Sequence, residues 1–404
     1  MAESGKSTFL TLPPEIREQI YTEILHPNNN RLVRRDEYAD YDYRDALVLY
    51  HLNQQIYYES RKIFRDLNVF VRIETPWSEA EYHVAIEGHV PILMKSQQAA
   101  RFTGHSLQVK IEAPSVALPE GERPNYFVIL LDDLPAFTKT WFYSNLSNPG
   151  LNQFLALSLQ LRDPYAPDWE EKHVPRQVQR RLLLPFGEVK SLRQFNVNGD
   201  PKPQPSILNE LNAEQAIPPA TAEQALSESI KFKSEGNEAL TAGNYGLALA
   251  RYNKAWEAMH IIVKGRQRHV HAEAFFAREL DEPFKGKNGQ VERLKIRVQL
   301  VANTCLAYLK LKNWDELLYW GMRTINLMRQ ATGANDREIP PEDEALQTFP
   351  SATQVGKIYY RTAVAFKEMG DKAEARRLLR VAQIYLPHDE TVKKELAGCA
   401  LRLG

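Results

Sequence analysis

Cysteine is scarce in this chain. Only two occur in 404 residues, Cys305 and Cys399, and neither stands at metal-ligand spacing from another cysteine or from histidine. That speaks against a disulfide framework and against a structural zinc module. Both fall in helical patterns, where buried thiols in a reducing compartment account for them. No run of about 18 apolar residues exists, so no membrane span is expected. The opening MAESGKSTFL has neither a basic leader nor an apolar stretch, and secretion is not expected. No dense basic stripe interleaved with exposed aromatics is found, which argues against nucleic acid as a partner. Cytosol or nucleus is the expected location.

What is present is an ordinary folded composition, 43% apolar and 25% charged, in a chain long enough for two or three domains. The zero net charge hides an asymmetry. Residues 225–404 hold 28 Lys and Arg against 22 Asp and Glu, which leaves 23 against 29 in the rest. A mildly basic C-terminal part favours an acidic partner.

Along the chain, Leu12-Pro13-Pro14-Glu15-Ile16 places proline where a first helical turn tolerates it. Ile16, Ile20, Tyr21, Ile24 and Leu25 follow at helical spacing, and His26-Pro27-Asn28 closes the helix. A second helix is expected over 46–67 with Leu47, Leu49, Leu52, Ile56, Tyr57, Ser60, Ile63 and Phe64 buried, then a strand at 69–73. From 74 to 200, β-like runs at 107–111, 126–131, 154–161 and 194–197 alternate with helical stretches such as 177–185, an α+β pattern. The stretch 199–222 has five prolines and no apolar period, and reads as a linker.

Three helical hairpins then recur. The first holds Gly236, Ala239, Gly243, Tyr245, Ala248, Tyr252 and Ala255; the third holds Ala363, Phe366, Gly370, Ala375, Ala382 and Pro387. The middle one keeps Cys305, Tyr308 and Trp314 but has Leu317, Gly321 and Thr324 at irregular places. A final helix over 389–402 would cap the stack. Small residues sit where helices approach and aromatics fill the gaps, the pattern of a unit that buries its apolar face only by stacking.

Lys233 and Asn237 are four residues apart on the first helix of hairpin one, as are Lys357 and Arg361 on the first helix of hairpin three, and Asn303 lies on the first helix of hairpin two. Residues four apart share a helix face, so all five should line one groove. Three cations and two amides suit a peptide C-terminus with its α-carboxylate and a neighbouring acidic side chain.

The spacing resembles tetratricopeptide repeats, the class of roughly 34-residue helix-turn-helix units, over about 45% of the chain. About 30 extra residues near 262–291 and an acidic, Pro-containing loop near 333–350 break the period. Lys233-Ser-Glu-Gly236-Asn237, Ala302-Asn303 and Lys357-Ile-Tyr-Tyr-Arg361 resemble the dicarboxylate clamp of chaperone-binding members. That resemblance implies binding to the Glu-Glu-Val-Asp tail of the cytosolic 70- and 90-kilodalton heat-shock chaperones. Leu12-Pro13-x-Glu15-Ile16, Ile20-Tyr21 and the run from Asn53 to Ser60 resemble F-box-like domains of filamentous fungi, as do Leu184-Pro185-Phe186-Gly187 and Val197-Asn198-Gly199. That resemblance implies docking of Leu12, Pro13 and Ile16 to the adaptor of a cullin–RING ubiquitin ligase. The polar stretch 28–44 departs from the close helices of a full F-box.

Other signals carry less. Gly5-Lys6-Ser7-Thr8 lacks the earlier glycine and the strand of a phosphate-binding loop. His269, His271 and Glu273 lack a further ligand at metal spacing, and Lys264 to His271 reads as a solvated basic loop that could touch an acidic chaperone or a phosphate. Asp132-Asp133 reads as a loop acid pair. No nucleophile stands in recognisable local context, so an enzyme of 74–200 is the least favoured reading.

The expected architecture is mainly α and multidomain: an F-box-like segment at 1–72, a mixed α+β region at 73–200, a Pro-rich linker at 201–224 and a superhelix of three hairpins with a capping helix at 225–404. The expected function is a non-enzymatic adaptor or co-chaperone without cofactor or metal. The rival is a substrate receptor of a ubiquitin ligase.

Overall fold

The computed structural model describes residues 8–33, 39–114, 124–167, 169–331, 333 and 339–399. Gly5, Lys6 and Ser7 lie outside them. The chain divides into two compact units, 1–219 and 220–404. It is mainly helical, with a six-stranded mixed sheet in the first unit.

The first unit opens with α1 (Pro14–Leu25), a short hairpin of β1 (Arg31–Val33) and β2 (Ala39–Tyr41), α2 (Leu49–Leu52) and α3 (Gln54–Leu67). The helix expected over 46–67 is broken at Asn53, whose extended backbone and side-chain acceptance from the Ile56 amide start α3 afresh. Leu52, expected inside, is 56% exposed as a result. On α1 the buried stripe is Arg17, Tyr21 and Leu25, so Ile16 and Ile24 face outward instead of into the core. Arg17 donates through Nε to Glu59 (2.9 Å) and through Nη2 to the same carboxylate (2.6 Å), and Tyr21 adds its hydroxyl at 3.0 Å. The Arg17 hydrogen bond holds the Glu59 carboxyl at about 2, well below 4.5.

The sheet follows: β3 (Phe70–Thr75), α4 (Ala80–Ile86), β4 (Met94–Lys95), α5 (Ser96–Arg101), β5 (His105–Glu112), β6 (Asn125–Leu130), α6 (Leu134–Ser147), β7 (Ala156–Arg162), α7 (Arg176–Leu183) and β8 (Gln194–Asp200). Its spatial order is β4-β6-β3-β5-β7-β8, parallel at β3/β5 and β7/β8 and antiparallel elsewhere. Alternation along the strands sorts the side chains onto two faces. Val71, Ile73, Phe127 and Ile129 join Phe137 and Trp141 of α6 and Leu182 and Leu183 of α7 in the main core, while Phe70, Val128 and Leu130 pack with Ala99 of α5 on the other side.

The stretch expected to be a linker is not one. It carries α8 (Pro205–Ala216), with Pro205 in its first turn and Ile207 and Leu211 fully buried in the main core. Those two apolar residues are four apart, which is one helix face; the proline count masked them.

The second unit stacks three helical hairpins: α9 (Ala222–Thr241) with α10 (Tyr245–Ala258), α12 (Gly289–Leu311) with α13 (Trp314–Ala331), and α15 (Ala352–Glu368) with α16 (Lys372–Tyr385), followed by α17 (Glu390–Gly398). One turn is built three times. Gly243, Lys312 and Gly370 take the left-handed conformation at φ +78, +55 and +95. Each precedes a capping residue, Asn244, Asn313 or Asp371, that accepts the amide three residues on. Each capping residue's own amide bonds back to the carbonyl of Ala239, Tyr308 or Phe366. In the middle turn, Lys312 holds the position that glycine holds without a Cβ penalty in the other two. Gly321 in α13 admits close approach of α15, for a Cβ there would stand 2.0 Å from the Thr362 hydroxyl oxygen.

Both interruptions are built structure. Between α10 and α12 lie β9 (Ile261–Lys264), β10 (Gln267–Val270) and α11 (Glu273–Phe276). The expected basic loop at 264–271 is thus a hairpin with a two-residue turn at Gly265-Arg266. Arg293 of α12 is fully buried and clamps this insertion by donating to the carbonyls of Met259 (2.8 Å) and His271 (2.7 Å). The second interruption holds α14 (Pro341–Glu344), whose Glu344 is buried and pairs with Arg329 and, at 3.2 Å, with Arg377, and accepts the Tyr359 hydroxyl at 2.8 Å.

Candidate functional site: polar residues on the first helices of the hairpins

Helices α9, α12 and α15 are the first members of the three hairpins, and α12 packs against both of the others. The five residues singled out from the sequence sit on them. Asn237 of α9 and Asn303 of α12 meet directly, with Asn303 Nδ2 donating to Asn237 Oδ1 at 2.7 Å. Tyr252, from α10 behind, donates its hydroxyl to the same oxygen at 3.0 Å. Two donors on one oxygen fix which end of the Asn237 amide is which. Its NH2 group is left as an oriented donor, with no acceptor among the described residues.

Lys233 donates from Nζ to Gln299 Oε1, and Gln299 stands one helical turn before Asn303. Arg361 donates from Nη1 to the carbonyl of Ala302, the neighbour of Asn303. Burial pushes both the Lys233 and the Arg361 cations below their ordinary pKa values. The same burial raises the Tyr252 hydroxyl and the Cys305 thiol to about 12, so both are neutral hydrogen-bearing groups beside Arg361. Lys357 is the exception to this linkage. It lies on the same face of α15 as Arg361, one turn earlier, and makes no hydrogen bond or ion pair with a described residue.

Among the described residues, none of Lys233, Lys357 and Arg361 pairs with a carboxylate. Several other cations of the same unit do pair with carboxylates, as in Lys367–Glu395 at 2.7 Å and Arg251–Glu235 at 3.4 Å. A buried cation without a counter-charge is costly, and a carboxylate arriving from outside would relieve it.

Two residues of this site were not picked out from the sequence. Gln299 carried a signal, its four-residue spacing from Asn303. Tyr252 was read as a packing aromatic, and nothing local shows that its hydroxyl crosses the hairpin to Asn237.

The other sequence signals have structural partners. Asp133 is buried, accepts the Tyr41 hydroxyl at 2.8 Å and pairs with Arg31 at 3.2 Å, while Asp132 pairs with Arg181. Among the described residues no three His, Cys, Asp or Glu groups gather as a metal site. Cys305 and Cys399 are both buried free thiols. One unanticipated chain has a catalytic look: His83 Nε2 lies 2.8 Å from Ser144 Oγ and His83 Nδ1 lies 3.1 Å from Glu87. Yet Ser144 Oγ donates back to the Thr140 carbonyl at 3.0 Å within α6, whose amides are spent in the helix. The hydroxyl proton is thus turned away from the imidazole, and no oxyanion donors converge there.

No protein-family model matches the sequence, and no curated protein matches it either. No helix among the described residues is long and apolar enough to cross a membrane.

Proposed function

We propose that residues 220–404 form a tetratricopeptide-repeat domain that binds the acidic C-terminal tail of a partner, of the Glu-Glu-Val-Asp type carried by cytosolic 70- and 90-kilodalton heat-shock chaperones. The chain is then a non-enzymatic cytosolic adaptor or co-chaperone. One observation carries this reading: Lys233, Lys357 and Arg361 stand on the same helices as a locked Asn237–Asn303 pair, and none of them pairs with a carboxylate among the described residues. A terminal α-carboxylate accepts from the free Asn237 amide, and an acidic side chain meets the cations. Each charge-assisted bond contributes about 1.5–3 kcal/mol. The test is titration of the full-length protein and of Lys357→Glu with a peptide ending in that tail. The wild type should bind at about micromolar Kd, near −8 kcal/mol, and the variant should show no binding with an unchanged melting temperature. Equal affinities would contradict the reading.

A second, compatible reading is supported by α1. Ile16 and Ile24 are 41% and 37% exposed beside the exposed Pro13, while Arg17, Tyr21 and Leu25 anchor the helix from behind. Such an apolar edge, with Leu12 and Pro13 at its start, fits a ubiquitin-ligase adaptor and would couple chaperone clients to ubiquitination. Capture of the adaptor by the wild type, lost in Ile16→Asp, supports it; capture unaffected by that change overturns it.

A further inference from the structure

The insertion after the first hairpin carries a second concentration of positive charge. Arg268 of β10 has its guanidinium against two indoles, 5.0 Å from the Trp256 centroid and 4.6 Å from that of Trp320. Stacking occupies the flat faces of a guanidinium and leaves its N–H edge to be satisfied. That edge is not satisfied: Nε and Nη2 of Arg268 are buried and have no hydrogen-bond partner among the described residues. Arg297 of α12 and Arg323 of α13 both stand close enough to repel Arg268, and they repel each other. Arg323 donates to the Tyr319 hydroxyl at 2.9 Å, a neutral partner. Arg297 makes no hydrogen bond or ion pair with a described residue, and the carboxylate acting on it, Glu273, is exposed. The neighbouring Arg266 is excluded from this surplus because it pairs with Glu316 at 2.9 Å.

Space accompanies the charge. Val263, the cross-strand partner of Arg268, lines a cavity of about 80 Å³ together with Trp256, Asn253, Thr304, Tyr308 and Trp320. The cavity adjoins the cations through Trp256 and Trp320, the two indoles that flank Arg268, and it is several times the roughly 10–15 Å³ that a water needs, so it has room for a compact oxyanion and not for a nucleotide.

We propose that Arg268, Arg297 and Arg323 form a binding site for a phosphate-type dianion, free or carried on a phosphorylated side chain, between the β9–β10 hairpin and helices α12 and α13. Three cations against one exposed carboxylate leave about two charges unmatched, which is the charge of a phosphate monoester near neutral pH. The Arg268 edge supplies two donors in the fork geometry that suits phosphate oxygens. The site is distinct from the groove, since Arg297 and Gln299 are two residues apart on α12 and residues so spaced do not share a helix face.

Calorimetric titration of the full-length protein with inorganic phosphate, with a phosphoserine peptide and with its unphosphorylated form, at constant ionic strength, tests this. Saturable binding of phosphate or of the phosphopeptide is expected, and whichever binds more tightly identifies the source. Arg297→Gln and Arg323→Gln should each weaken it at least tenfold, whereas Arg251→Gln and Lys357→Glu should leave it unchanged. No saturable binding by the wild type, arginine variants that bind as the wild type does, or equal loss in Lys357→Glu would overturn the proposal.

Discussion

Two faces of α15 treat charge in opposite ways. On one, Tyr359 reaches the buried Glu344, which is ringed by Arg329 and Arg377, so that every charge has a partner within the chain. On the other, among the described residues, Arg361 donates only to a backbone carbonyl and Lys357 makes no hydrogen bond or ion pair. Arg17 in the first unit sharpens the contrast. Like Arg361 it donates to a carbonyl, that of Leu12 at 2.5 Å, but it also holds Glu59 with two further bonds. Matched charge serves the fold, and the unmatched charge is what the proposed acidic tail would meet.

The contrast can be broken in order of size. Glu344→Gln strips Arg329 of its buried counter-charge, and breaking a buried pair costs about 3–5 kcal/mol. Thermal melting should fall by about 6–20 °C, and a shift within 2 °C would mean that the matched face does not hold the fold. Arg361→Met should do the reverse: tail affinity drops by about 10–100-fold, one charge-assisted bond, while melting stays within about 2 °C. Calorimetry and peptide titration on the same preparations check both.

Acid should single out the first unit. The folded Glu59 carboxyl lies at about 2 against 4.5 for the ordinary group. Its stabilising effect is complete above about pH 4.5 and is lost as pH falls through about 2. In Glu59→Gln this part of the acid sensitivity should vanish, as followed by melting between pH 5 and 2. The smallest effect is the most specific. Lys233 is pushed below its ordinary pKa by burial alone, so Lys233→Met should raise the melting temperature of the free protein by about 1–3 °C while weakening tail binding. For the same reason, wild-type tail binding should weaken as pH rises toward that depressed value. A destabilised Lys233→Met would contradict the view that this cation is held at a cost.

The legibility of this chain follows the range of the interactions. The helical hairpins are legible because small residues such as Gly236, Ala239, Ala363 and Ala375 recur with local spacing, and four-residue steps put Lys233 with Asn237 and Lys357 with Arg361 on shared helix faces. The short apolar runs at 69–73, 107–111, 126–131, 154–161 and 194–197 mark five of the sheet's strands to within a few residues, while the two-residue β4 carries no such signal. What escaped depended on distant partners. Arg268 looked solvated because its two indoles are contributed by α10 and α13, and Ile207 and Leu211 were hidden among prolines because the core they enter is built by 70–189. The orientation of α1 was misjudged for a like reason. Arg17 is a charged residue whose burial is set by Glu59, 42 positions away, and a hydrophobic pattern gives such a residue to the solvent.

The most direct test is a paired titration of the full-length protein with a peptide ending in Glu-Glu-Val-Asp and with the same peptide as its C-terminal amide. The unmatched cations and the free Asn237 amide predict that the acid binds at about micromolar Kd and the amide at least tenfold more weakly, with the acid's affinity falling as salt is raised. Equal binding of acid and amide would contradict the account.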